Sequence, residues 1–487
     1  MTRNSIQSLS MLLLGLASAS AVSAPITFDQ AWQLLQENNH SLAAQKANVE
    51  SYQHLEQAKR NLNLPSVTLG ANYTRLDNDV TVTGSQLAEA THIGGASTAM
   101  MSSLLPILGG VETSITEKDI FTSSIRAVWP IFTGGRITAA QQAAKGQTAE
   151  AKSQFEMETQ ARYEDLSKYY FSVVLAREVL DTRKAVEQGL AQHLDFAIKL
   201  EQQGQIARVE RLQAEASFDK AKVDTRKAQS NLDIAQSALS KILAQPNTVD
   251  PSDALFINYS LPPMQVFIDQ TLNTYPGLSL LDAKEQQASS LIKAEKGKYY
   301  PEVYLYGDYS LHEDDTLASQ MKPDWMVGVG VSIPLIESSG RSDTVKAANS
   351  MVQQVRHLKS QAREDLSVLV QKTYLEAQQS IDEVLGLKSS ITLASENLKL
   401  REKAFKQGLS TSLEVVDAQL YLASIQTQQS AARFHYLVSL TKLLALTSEM
   451  NTYPQYQSNS HIASNTLTDT QSKQPVNMPH SSNKETL

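Results

Sequence analysis

The stretch Lys406–Gln419 reads KQGLSTSLEVVDAQ and sets Glu414 and Asp417 three residues apart, shortly after Gly408. On a helix that spacing puts both carboxylates on one face. A weaker copy, QQGQIARVERLQAE, begins 204 residues earlier at Gln202 and carries Gly204 and Glu210. Taken alone, such acids are solvated charge at a helix turn. Other kinds of chemistry are poorly served. The nearest two histidines, His40 and His54, are fourteen residues apart, so no HExxH metal motif exists, and G-x-S-x-G, P-loop and G-x-G-x-x-G signatures are absent. Zero cysteines exclude disulfides, thiolate metal sites, cysteine nucleophiles and an acylated N-terminal cysteine. The chain reads as a non-enzyme without cofactor or metal. What the acids could do depends on the elements that hold them.

The 487 residues carry 43 basic and 51 acidic side chains, a formal charge of −8 that argues against a nucleic-acid partner. Aromatics are only 6%, which suits long helices better than a thick globular core. Residues 1–23 read as a signal peptide: Arg3 supplies the positive n-region, Met11–Ala19 a short apolar stretch, and cleavage follows Ala21 or Ser23. That stretch is too short to span a bilayer as a helix, so the sequence implies export without an inner-membrane anchor.

The chain repeats itself. Ala58, Pro65, Val67, Leu69 and Tyr73 recur 236 residues later as Ala294, Pro301, Val303, Leu305 and Tyr309. Pro130, Tyr170 and Gly204 recur 204 residues later as Pro334, Tyr374 and Gly408, so the first copy holds 32 extra residues between its two strands. The reading is a first repeat at 24–245, a Pro-marked connector at 246–265, a second repeat at 266–450 and a polar, disordered tail at 451–487. Each repeat runs helix, strand, loop, strand and long helical hairpin. Strands are expected at about 65–75 and 122–132, then 301–310 and 326–336. Helical hairpins are expected at 137–245 and 342–450, with tips at 204 and 408.

Val327, Val329, Val331 and Ile333 alternate with Gly328, Gly330, Ser332 and Pro334, which is period two with one apolar face. Segments of roughly ten alternating residues are what a membrane barrel uses per crossing, and also what a half-buried soluble hairpin uses. Four strands cannot close a barrel that encloses anything, since about eight are needed even for a filled interior. A membrane reading therefore demands that several chains pool their strands. The arm from Arg136 to Gly204 would be about 100 Å long at 1.5 Å per helical residue. On the return arm Ala214, Phe218, Ala221, Thr225, Ala228, Leu232, Ala235, Leu239 and Ile242 step four, three, four, three. Ala418, Leu422, Ile425, Gln429, Ala432, Tyr436, Ser439, Leu443 and Leu446 repeat those steps, a 3.5-residue period expected of helices that wind around partners.

With the duplicated order, the turn WPIFTGGR at Trp129–Arg136, its weaker counterpart IPLIESSGR at Ile333–Arg341 and the tip GLSTSLEVVDAQ, the chain resembles the TolC-like outer-membrane efflux proteins of Gram-negative bacteria from about Ile26 to Ser448. The resemblance implies a mostly α fold with a membrane β-barrel. A homotrimer would form a 12-stranded barrel on a periplasmic α-helical barrel. It implies an exit duct of a tripartite efflux or type I secretion system, passing small toxic compounds or polypeptide. The implied partners are a periplasmic adaptor protein, a proton-driven or ABC-type inner-membrane pump and outer-membrane lipid, and the location is the outer membrane with a periplasmic extension. The absent cysteine separates the chain from the lipid-anchored branch. The alternative is an exported structural coiled-coil envelope protein without transport activity.

By resemblance, Glu414 and Asp417 fall at the tunnel's inner acid constriction, with Glu210 at the acid of the first tip. A ring of such acids would favour cations, and crowding would hold some of them protonated. The tips Gly204, Gln205, Ile206, Gly408, Leu409 and Ser410 are the expected adaptor docking surface. Where better-studied members carry a tyrosine and an arginine that lock the closed tips, this chain has Phe405 and Ser410. Arg208 and Arg211 are therefore expected to face Glu414 and Asp417 as a replacement lock. The apolar run Met100–Leu108, within the extra 32 residues, is expected to pack on trimer mates at the outer end.

Overall fold

A computed structural model of the chain describes residues 25–83, 86, 112–314, 319, 322–336 and 340–462. The expected signal peptide, the Met100–Leu108 run and residues 463–487 lie outside the described residues. The chain is mostly helical and divides into two compact units, one of residues 40–159 with 272–367, the other holding the rest.

The first unit contains α2 (His40–Arg60), β1 (Ser66–Arg75), β2 (Val80–Thr83), β3 (Glu112–Thr116), β4 (Asp119–Phe132), α6 (Pro276–Gly297), β6 (Glu302–Glu313) and β7 (Trp325–Ser332). Four of these strands form one antiparallel sheet in the order β1-β4-β6-β7. Register is what gives this sheet its character. Val67 lies opposite Ala127, Leu69 opposite Ile125, Tyr73 opposite Phe121, Ile125 opposite Tyr309, and Leu305 opposite Val329. Because side chains alternate, these partners share one face. That face is apolar across all four strands yet uncovered, with Leu69 72%, Val327 73% and Val329 63% exposed. The opposite face carries Thr68, Asn72, Ser124, Ser310 and an Arg126–Asp308 ion pair at 3.1 Å. Among the described residues no strand pairs with the free edges of β1 and β7.

β7 ends at Ser332, four residues short of the expected 336. Pro334 has no N–H to give to a ladder, whereas the corresponding Pro130 is accommodated in β4 where the register shifts between Pro130 and Phe132. Part of the first repeat's extra length is visible as β2 and β3, a second, two-stranded antiparallel sheet.

The second unit contains α1 (Phe28–Asn38), β5 (Phe256–Ile257), α5 (Met264–Thr274), α9 (Tyr453–Ser458), β8 (His461–Ile462) and the greater part of two helical hairpins. One hairpin is α3 (Arg136–Gln202) with α4 (Arg208–Ile242); the other is α7 (Arg341–Lys406) with α8 (Ser412–Leu446). The 3.5-residue seam lies inside: Ala214, Ala221, Ala228, Leu232 and Leu239 on α4, and Ala418, Ile425, Ala432, Tyr436, Leu443 and Leu446 on α8, are buried. Phe28 is gripped by aromatic rings, with centroids 5.4 Å from Tyr163, 5.3 Å from Phe171 and 4.7 Å from Tyr453. Its N–H donates to Asp253 at 2.8 Å.

Two expectations are corrected here. The connector is not free of core: Leu255, Phe256 and Ile257 are buried, and β5 pairs with β8. The tail does not begin at 451, because Tyr453 is 2% exposed and Asn258 donates to the carbonyls of Tyr456 and Asn459. In both places one short apolar or aromatic anchor outweighs polar, proline-rich surroundings, since burying a large side chain stabilises by about 1.5–3 kcal/mol.

Candidate functional site

Both hairpins turn by the same device. Gly204 and Gly408 each have φ of +71°, a left-handed conformation that costs other residues about 1–2 kcal/mol. The N–H of Gln205 reaches the carbonyl of Leu200 and that of Leu409 reaches Ala404, both at 2.9 Å. Gly204 and Gly408 close the inner bonds, to Glu201 and Phe405. This paired closure satisfies the last carbonyls of α3 and α7.

The next helices start differently, and the difference builds the site. Helix α8 begins with a capping box. Glu414 N–H donates to Thr411 Oγ1 at 3.4 Å, and Thr411 N–H donates back to Glu414 Oε2 at 3.2 Å. The equivalent of Thr411 in the first tip is Ala207, which has no side-chain oxygen and makes no cap bond. The equivalent of Glu414 is Glu210, which therefore has no box to close. It reaches instead to the other hairpin, where Ser412 N–H donates to Glu210 Oε2 at 2.7 Å. Two acids from equivalent repeat positions thus converge on one helix N-terminus, where the exposed N–H groups favour negative charge.

Ser412 is held a second time. Its Oγ lies 2.7 Å from His193 Nε2 on α3, and both residues are buried. The His193 ring packs against Phe405 at a centroid distance of 4.4 Å. Burial pushes the His193 imidazole down to about 4, so it is neutral at neutral pH. A small cavity of about 40 Å³ beside it is lined by Gly189, Gln192, Phe196, Glu402, Phe405 and Lys406.

The acids and cations expected from sequence take these places. Glu414 accepts a short hydrogen bond from Ser410 and pairs with Arg401 at 3.2 Å. Its carboxyl is held below the usual glutamate value, first by Ser410, then by the Thr411 N–H, with Arg401 adding to it. Within one chain this environment favours the carboxylate. Asp417, one turn on, is exposed and has no ion-pair partner among the described residues. Arg211 is engaged inside its own hairpin, with Glu201 at 2.7 Å and Glu215 at 2.5 Å. Within the chain it therefore does not meet Glu414 or Asp417, because the closer carboxylates lie along its own hairpin. Arg208 is exposed at the start of α4.

Phe405 is core, buried with Ala197, Ala214 and Val415, and Ile206 packs against the same cluster. Leu409 is 77% exposed and Val209 63%, which leaves the tips partly apolar. Arg401, His193 and Ser412 were not singled out from sequence. The T-x-x-E pattern at Thr411–Glu414 was a legible signal for the capping box. Nothing in the sequence pairs His193 with a residue 219 positions away.

A family model described as outer membrane efflux protein matches residues 31–245 and 267–449. The alkaline protease secretion protein AprF of Pseudomonas aeruginosa is 21% identical over 284 residues, covering 56% of this chain and 58% of AprF. The outer membrane protein TolC of Escherichia coli K12 is 22% identical over 303 residues, 58% of this chain and 60% of TolC. The matched stretch therefore spans less than two thirds of these relatives. In fold, the chain is similar to the outer membrane protein VceC of Vibrio cholerae. The TM-score is 0.68 at 14% identity, over 86% of this chain and 96% of that one. No helix among the described residues is long and apolar enough to cross a membrane.

Proposed function

The chain belongs to the outer membrane efflux protein family, and on that footing we propose that it is a passive exit duct of the outer membrane, assembled as a homotrimer. The observation that carries this reading is the sheet. One face is apolar and uncovered across four strands, and among the described residues both edges lack partners. An exposed apolar face with free edges is a liability in water. Three chains joined β7 to β1 would give twelve strands with every edge paired and the apolar face toward lipid, as a bilayer requires. The hairpins would continue the duct through the periplasm and meet a periplasmic adaptor at Gly204–Ile206 and Gly408–Ser410. An inner-membrane pump, proton-driven or ABC-type, would supply the energy. The cargo class is small toxic compounds or secreted polypeptide.

At the tips, Glu414 and Asp417 of three chains, with Glu210 nearby, would form the acid constriction that favours cations. The latch that would hold the two hairpins of one chain together is Ser412, bound by Glu210 and His193 of the first hairpin, while Arg401 pairs Glu414 within the second. Membrane fractionation tests the reading. A duct sediments with the outer membrane, needs detergent for extraction and runs as a trimer that heating dissociates. A monomeric species released in the soluble periplasmic fraction would refute it, and would favour the envelope-spacer alternative. Deleting the gene and measuring both antibiotic susceptibility and the secreted proteins separates the two cargo classes.

A further inference from the structure

We propose that Gly328 and Gly330 keep the bore of the barrel open by letting the rings of Tyr306 and Tyr304 lie against its wall. The inference rests on the membrane-barrel reading above. Tyr304 lies opposite Gly330 and Tyr306 opposite Gly328 in the β6–β7 register. All four belong to the polar face, which also carries Arg126 and Asp308 and which a barrel turns inward. A Cβ on Gly328 would sit 2.6 Å from both Cζ and Oη of Tyr306. One on Gly330 would collide with the Tyr304 ring in the same way. Real Cβ atoms do not approach so closely, so each ring occupies the volume where its cross-strand neighbour's side chain would stand. The two rings lie side by side, with centroids 6.1 Å apart.

Glycine inside a strand weakens it and marks close approach of another group. Here the close group is a tyrosine laid across it twice in succession, on alternate residues of one strand pair. With the glycines present, the rings lie along the wall and the lumen stays open. With any side chain in their place, the rings must swing away from the wall, and inward is the open direction. Three chains would contribute six such rings at two neighbouring levels. A twelve-stranded barrel lies between the filled eight-stranded interior and the wide sixteen-stranded channel, so its bore is narrow enough for rings of this size to matter.

The chain has no cysteine, so a single introduced one is a unique probe. Ser332 lies on the polar face one level beyond the Tyr304–Gly330 pair, on the side of the helices, while its neighbour Val331 lies on the apolar face. In intact cells, a Ser332→Cys variant is labelled from outside with membrane-impermeant thiol reagents of small and large size. A Val331→Cys variant serves as the lipid-facing control. Adding Gly328→Val and Gly330→Val should slow labelling by the large reagent several-fold and leave the small one unchanged. Adding Tyr304→Ala and Tyr306→Ala to that background should restore the rate.

Valine is a strand former, and if the valine pair still fails to assemble, the alanine pair at the same glycines replaces it, since its Cβ alone must displace the rings. Unchanged labelling by the large reagent in an assembled trimer overturns the proposal, as does slowing that the tyrosine truncations do not relieve. Labelling of Val331→Cys as fast as Ser332→Cys would instead overturn the face assignment, and with it the barrel reading itself.

Discussion

Replacing Ser412 with alanine should loosen the proposed gate without touching the proposed acid constriction. The Ser412 hydroxyl lies 2.7 Å from His193 Nε2, with Ser412 fully buried and His193 nearly so. Alanine fits the same space, so the packing with Phe405 is kept, and the Glu210 bond survives because it is made to the Ser412 backbone N–H. What is lost is the only hydrogen-bond partner of His193 Nε2 among the described residues. A buried polar group left unpaired costs about 1–3 kcal/mol. The cost applies while the hairpins are apposed and disappears once separation admits water to the imidazole. The difference therefore falls on the closed state, and a coupling of about 1–3 kcal/mol shifts such an equilibrium about 5- to 150-fold.

Trimers reconstituted in planar bilayers report this as a rise in open probability at fixed voltage, pH and salt. The double variant His193→Phe with Ser412→Ala provides the control. Removing both partners in favour of apolar groups is close to neutral, so it should return most of the way toward the wild-type open probability. The reasoning is refuted if Ser412→Ala trimers gate like wild type, or if the double variant opens as readily as the single one.

The same imidazole gives a pH dependence whose sign is fixed. Its value falls from 6.5 to about 4 on burial, so the apposed state resists protonation and loses stability as pH drops from about 6.5 to about 4, by roughly 3 kcal/mol in total. Open probability should rise through that window. The response should vanish in the double variant, even though Glu402, Lys406 and Glu210 also face this region. Arg401→Glu should set like charges against Glu414 and raise conductance more at low than at high salt, while the same change at Arg211 should do less; equal effects would contradict the assigned pairing. In the second unit, Phe28→Ala removes the ring shared by Tyr163, Tyr170, Phe171 and Tyr453 and should cost about 3–5 kcal/mol, read as a lower thermal unfolding midpoint with the far-UV helix signal retained before the transition.

The sequence by itself determined the repeat, the alternating strands and the helical seams, because each is a local periodicity written in consecutive residues. Val327, Val329 and Val331 could share only one face of a strand, and Ala418, Ile425 and Ala432 only one face of a helix. Gly204 and Gly408 marked the turns because few other residues adopt a left-handed backbone there. The capping box at Thr411 and Glu414 is a local signal too, a T-x-x-E pattern within four consecutive residues. Sequence also raised the question of closure, since four strands are too few.

Tertiary structure decided who meets whom. Glu210 and Glu414 occupy equivalent places in the two copies, yet one reaches across and the other caps its own helix, because Ala207 stands where the second copy has Thr411. Arg211 was expected to meet the acids of the other tip, but Glu201 and Glu215 lie nearer along its own hairpin. His193 and Ser412 are 219 residues apart, and no local pattern encodes their contact. Phe256 and Tyr453 sit in polar, proline-marked stretches that read as linker and tail, and only the aromatic cluster they enter makes them core. Periodicity is a property of neighbours in the chain, and pairing is a property of neighbours in space.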